Sequence, residues 1–104
     1  MKGYLLLEDG SIFFGKTVGK ENLLGEISIN GQDSIKIQCQ ITGKNKFVAN
    51  TKSNLKNGII LSNIDFESLK QKIKKSKKLQ AKIVTDSLPI QFHMYDLKTF
   101  IPIV

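Results

Sequence analysis

Apolar and polar positions alternate with period two over much of this chain, the spacing of strands that are wet on one side. Tyr4 to Leu7 and Ile12 to Phe14 form two apolar β-type runs. Asp9-Gly10 lies between them, a pair that supplies the positive φ of a tight hairpin turn. Glu26 to Asn30 alternates and is expected to lie against that hairpin through Ile27 and Ile29. Ile35, Ile37, Cys39 and Ile41 alternate with Lys36, Gln38, Gln40 and Thr42, which predicts one apolar face carrying Cys39 as a small buried hydrophobe. Phe47-Val48-Ala49 follows as hairpin partner. A polar loop from Asn50 to Asn57 then leads into Ile59-Ile60-Leu61, a strand expected to be buried on both faces.

The period changes once. From Ser62 to Lys78, Phe66, Leu69 and Ile73 recur at helical spacing. Ser62, Asn63 and Asp65 are all suited to its N-cap, and Asp65 and Glu67 to its first turn, where the macrodipole favours negative charge. The last third returns to the β pattern. Lys82 to Thr85 reads as a strand and Asp86 to Pro89 as a turn. Ile90 to Tyr95 reads as a further strand, with Ile90, Phe92 and Met94 inward and Gln91, His93 and Tyr95 outward. Phe100 to Val104 is a terminal extended segment limited to an edge by Pro102. The expectation is a single domain, α+β and mainly β, with about eight short strands in a barrel-like or layered sheet and one packed helix.

Composition fits that picture. A chain of 104 residues, 40% hydrophobic and 24% charged, supports one core. No apolar run approaches the roughly 18 residues of a membrane span, and Tyr4 to Leu7 is too short for a secretory signal, so a cytoplasmic, membrane-free protein is expected. The formal charge is +7, and all sixteen basic residues are lysine. Without arginine's planar fork the chain is poorly equipped to read bases or clamp phosphates.

Candidate chemistry is sparse. Cys39 lacks a second thiol, and a regular strand offers neither a base nor a helix N-terminus to activate it. His93, the only histidine, has no second imidazole for a metal and no nucleophile in sequence reach. Glu8 with Asp9 are turn residues, Asp65 with Glu67 are helix-start charges, and no glycine loop cradles a phosphate. No catalytic, cofactor-binding or metal residue is therefore assigned. The feature with functional potential is the lysine run Lys70, Lys72, Lys74, Lys75, Lys77 and Lys78, five of its members within the seven residues 72–78. Such a run repels itself unless an acidic protein surface or a polyanion offsets it.

The opening residues carry a resemblance. Leu7-Glu8-Asp9-Gly10, Phe13, Gly15, and then Gly25-Glu26 with Asn30 resemble the start of the small subunit of glutamine-dependent carbamoyl-phosphate synthetases, which has an L-E-D-G hairpin and a G-E-x-x-x-N strand. The resemblance covers roughly residues 1–30. It fades where the family continues with a T-G-Y-Q-E-type segment and this chain has Gly31-Gln32-Asp33-Ser34. It implies a β-rich domain with one packed helix that docks a glutaminase half onto the large synthetase subunit. The glutaminase residues would lie beyond residue 104; neither Cys39 nor His93 matches them, so no catalytic residue carries over. The function expected is a non-catalytic docking module, with a protein partner such as the large synthetase subunit bound through sheet edges or the loop Asn30 to Asp33. Self-association through the terminal strand is a further expectation. The alternatives are a non-specific nucleic-acid binder using the lysine helix and, last, a small enzyme of unknown type.

Overall fold

The computed structural model describes residues 2–19, 21–29, 34–50, 55, 57–76 and 78–99, the side chains at 98 and 99 apart. The elements run β1 (Lys2–Leu7), β2 (Ile12–Val18), β3 (Leu23–Ile29), β4 (Ile35–Gln38), β5 (Asn45–Asn50), β6 (Gly58–Leu61), α1 (Asn63–Lys75), β7 (Leu79–Val84) and α2 (Ile90–Thr99). The strands close into a barrel in the order β1-β2-β6-β5-β4-β3-β7. A ring of seven strands cannot be antiparallel at every seam, and the one parallel seam is β5 with β6.

The mainly-β barrel with a packed helix is as expected, and β1 with β2 is the hairpin expected at Asp9-Gly10. The Gly10 amide donates to the Leu7 carbonyl at 3.0 Å and the Leu7 amide to the Ser11 carbonyl at 2.9 Å, with Gly10 at φ +94°. This is a type I turn closed by a left-handed residue, so glycine is the residue the geometry favours there. The turn fixes the register: Leu6 faces Ile12, Tyr4 faces Phe14, Gly3 faces Gly15 and Lys2 faces Lys16.

Inside, Leu5, Leu7, Phe13, Ile27, Ile35, Ile37, Val48, Ile59, Leu61, Leu79, Ala81 and Ile83 make one core. α1 adds Phe66, Leu69 and Ile73 to it, the stripe read from the sequence. Ser62 caps α1 by accepting from the Asp65 amide at 3.2 Å. The helix ends at Lys75 rather than Lys78, with Ser76 as C-cap.

A second, smaller core lies on the outer face of β1 and β7. Tyr4, Leu6 and Val84 point outward there and are covered by Leu97 of α2, with Ile12, Leu24 and Met94 at its margin. This corrects the largest misreading: Ile90 to Tyr95 is not a strand but the first half of a second helix. Pro89 gives the reason. A proline just before the first helical residue has φ already set and gives up no helical amide, and its carbonyl accepts from the Phe92 amide at 3.1 Å. Faces assigned on a period of two are therefore inverted: His93 is buried at 1% exposure, while Phe92 is 53% exposed.

Other expectations change as well. β3 does not lie against the first hairpin; it pairs with β4 and β7, and β7 separates it from β1. β4 stops at Gln38, so Cys39 opens a turn, half-buried, with Ile41 66% exposed beyond it. Phe14 does not enter the core either, being 66% exposed on the outer face. The closed order leaves no free sheet edge among the described residues, which removes the expected docking by sheet edges. The expected terminal strand Phe100 to Val104, the loop Asn30 to Asp33 and most of the loop after Asn50 lie outside the described residues. Among the described residues no helix is long and apolar enough to cross a membrane.

Candidate functional site

The strand alternation that sends Leu5 and Leu7 inward sends Lys2, Tyr4 and Leu6 outward, and β2 presents Ile12, Phe14 and Lys16 on the same outer face. Where α2 covers this face it is buried, and where α2 does not reach, it is open. The consequence is a row of rings. Phe14 meets Tyr4 with centroids 5.9 Å apart, Tyr4 meets His93 edge-on at 6.3 Å, and His93 meets Phe92 edge-on at 5.5 Å. The row begins and ends in solvent and passes under α2 in between.

Polar side-chain contacts add to the small apolar core beneath α2. His93 Nε2 lies 2.9 Å from Asp86 Oδ1 in the turn before the helix. The other Asp86 oxygen accepts from Asn22 Nδ2 at 2.7 Å, and Asn22 Oδ1 accepts from the Thr85 amide at 2.7 Å. The Asn22 hydrogen bond, with those from the Leu88 amide and His93, keeps the Asp86 carboxyl below its ordinary pKa. Further along, Lys82, buried on β7, reaches Asp96 at 2.9 Å and lies 5.8 Å from the Phe92 ring centroid. Burial, and then the Asp86 charge, push the Tyr4 hydroxyl above its ordinary pKa.

An Asp-His pair invites a catalytic reading, but the geometry makes it a strut. The imidazole is buried, its Nε2 is taken by Asp86, and its Nδ1 is buried without a hydrogen-bond partner, so neither nitrogen is presented to a substrate. The Tyr4 hydroxyl is likewise buried and unpartnered. Cys39 sits in its own turn, where hydrogen bonds from the Thr42 hydroxyl and backbone lower the thiol pKa. Among the described residues no group of three or more His, Cys, Asp or Glu could hold a metal ion.

The lysine run is only partly free. Lys70 pairs with Glu67 at 3.4 Å and lies over the Phe66 ring at 5.6 Å, and Lys72 reaches Asp9 of the first turn at 3.2 Å. Lys74, Lys75 and Lys78 are exposed, and Lys77 lies outside the described residues. Lys46 is buried instead, donating to the Glu21 carbonyl, and burial lowers its pKa.

What opens on the surface lies elsewhere. Between the start of β1 and the middle of β2 runs a groove of about 590 Å³ lined by Lys2, Gly3, Phe14, Gly15 and Lys16. Separately, Leu88, Ile90, Phe92 and Tyr95 expose apolar surface along α2 and its lead-in, at 50%, 37%, 53% and 68%. Neither feature was read from the sequence as a site. The groove could have been: with Asp9 at the hairpin centre, counting outward pairs Lys2 with Lys16 beside Phe14.

No protein-family model, characterised protein or solved structure matches this chain.

Proposed function

We propose that this chain is a non-catalytic docking module, of the kind its opening residues resemble, and that it binds a protein partner through the face made by α2 and its lead-in. The observation that supports this reading is the solvent-facing side of α2. Phe92 and Tyr95, three residues apart and so on one side of the helix, are 53% and 68% exposed, while Leu97 and His93 are buried on the other side. Scattered apolar residues on a surface are ordinary, whereas a cluster with two aromatic rings is typical of a contact surface. The enzymatic alternative finds little support, since the one imidazole is buried with Nε2 held by Asp86 and Nδ1 turned away from solvent.

The partner proposed is the large subunit of a carbamoyl-phosphate synthetase from the same source, the subunit that the resemblance implies. Calorimetric titration at physiological salt is expected to give saturable one-to-one binding, weakened about tenfold or more by Phe92→Ser with Tyr95→Ser, since exposed aromatic anchors dominate such contacts. Absence of heat with the unmodified chain would overturn this choice of partner. Unchanged affinity in the double variant would overturn the choice of face.

A further inference from the structure

The hairpin places two positive charges where a sheet tolerates them least. Lys2 and Lys16 are direct cross-strand partners on the outer face, both exposed, and neither has an ion-pair partner among the described residues. Directly opposite like charges destabilise a strand pair. Between them and the Tyr4–Phe14 pair the register sets Gly3 against Gly15, and there the barrel is drawn tight: a Cβ on Gly15 would run into the Ile60 carbonyl, and one on Gly3 into the Thr17 side chain. These glycines serve barrel closure, while the chemistry of the outer face beside them, an exposed ring and two cations without an ion-pair partner among the described residues, is not required for closure.

We infer that this groove seats an acidic segment of a protein partner, with an apolar side chain on the Phe14 ring and carboxylates against Lys2 and Lys16. The inference rests on the docking reading above and names the chemistry of one contact. Charge complementarity carries it, because an anion offsets the Lys2–Lys16 repulsion that the fold otherwise bears. A peptide fits better than a small free anion: the groove is open to solvent and cannot enclose most of a small ligand's surface. An extended peptide needs no such enclosure, because it makes its contacts along an open surface.

The test is an amide-resolved NMR titration of the full chain with a capped pentapeptide, Glu-Asp-Phe-Asp-Glu. Saturating shifts are expected at Lys2, Gly3, Phe14, Gly15 and Lys16, weakening as salt is added. Lys2→Gln with Lys16→Gln is expected to weaken binding about tenfold, as two surface ion pairs would. The same double variant is expected to melt at a slightly higher temperature than the parent, because the repulsion is gone. Phe14→Leu, which keeps an apolar floor, is expected to retain most of the binding, and Phe14→Ala to lose it. Equal shifts from Lys-Lys-Phe-Lys-Lys would overturn the charge argument. Equal affinity for phenylacetate would make the groove a small-anion site, and tighter binding of a thymidine hexanucleotide would make it a nucleic-acid contact; either overturns the proposal. The two readings fail separately. If the pentapeptide does not bind but Phe92→Ser with Tyr95→Ser still weakens large-subunit binding, the groove assignment is wrong and docking stands. If the pentapeptide binds and the large subunit does not, the groove stands and the choice of partner is wrong.

Discussion

The two helices of this protein solve the same problem in opposite ways. α1 is built from local rules: a serine cap, an acidic first turn, basic residues in the last turn, and a stripe of Phe66, Leu69 and Ile73 that enters the barrel core. α2 has no acidic residue in its first turn. It buries Leu97 and His93 and packs Met94 at the margin of the small core, and it adds polar attachments: His93 to Asp86 and Lys82 to Asp96. A helix held by apolar volume should share the stability of the barrel, and one held by a few side-chain bonds should open on its own. Phe92 packs edge-on against His93 and still leaves 53% of its surface in solvent.

The sharpest test of the contrast removes a ring from each helix. Phe66→Ala should cost about 3–5 kcal/mol, because Phe66 is 1% exposed and its cavity sits in a closed core. Phe92→Ala should change stability by no more than about 0.5 kcal/mol, as expected for a half-exposed side chain. Urea unfolding of both variants measures the difference, and similar losses would mean that α2 is as much a part of the core as α1.

A smaller effect is expected from His93→Ala. The loss is about 1–3 kcal/mol, the range for a part-buried hydrogen bond to a carboxylate, and it should be local. In hydrogen exchange the amides of α2 should lose protection while those of β4 and β5, on the far side of the barrel, keep theirs. Uniform loss across the barrel would show a single cooperative unit and remove the distinction between the helices.

The same contrast explains what the sequence disclosed. The hairpin at Asp9-Gly10 and helix α1 were legible because their signals are local: a turn that demands positive φ, a cap, and a period of 3.6 that Phe66, Leu69 and Ile73 repeat. α2 was not, because over Ile90 to Tyr95 the pattern happens to alternate. Its deciding contacts, Asp86 to His93 and Lys82 to Asp96, cross from turn and strand to helix, and no spacing rule encodes them. β3 was placed beside the wrong strand for a related reason. Its partner β7 lies more than fifty residues away, and only barrel closure puts β7 between β3 and β1. The groove falls between these cases: its residues follow from the hairpin register, but its openness depends on where α2 stops covering the sheet. The lysine run, conspicuous in sequence, is the converse, since Lys70 and Lys72 are drawn into pairs with Glu67 and Asp9.

The smallest expected effect concerns acid, and it compares the helices through one carboxylate each. Asp9 ties the first turn to α1 through Lys72, and Asp86 ties the turn preceding α2 to that helix through His93. Burial raises the Asp9 pKa, but bonds from Ser11 and the Lys72 contact outweigh it; Asp86 is lowered chiefly by Asn22. Both therefore lie below the ordinary aspartate value of about 3.9 when folded. A depressed carboxylate contributes stability that is fully present above its unfolded pKa and is lost as the pH falls through its folded one. Acidification below about pH 4 should accordingly loosen both contacts. α1 should stay in place, because its apolar stripe carries it when the Asp9–Lys72 pair is gone. α2 should respond, and following its amide signals in an acid titration should reveal a transition that Asp86→Asn weakens and Asp9→Asn leaves intact. If both helices loosen together, or if Asp86→Asn leaves the acid response of α2 unchanged, the polar attachment of α2 is not what holds it to the barrel.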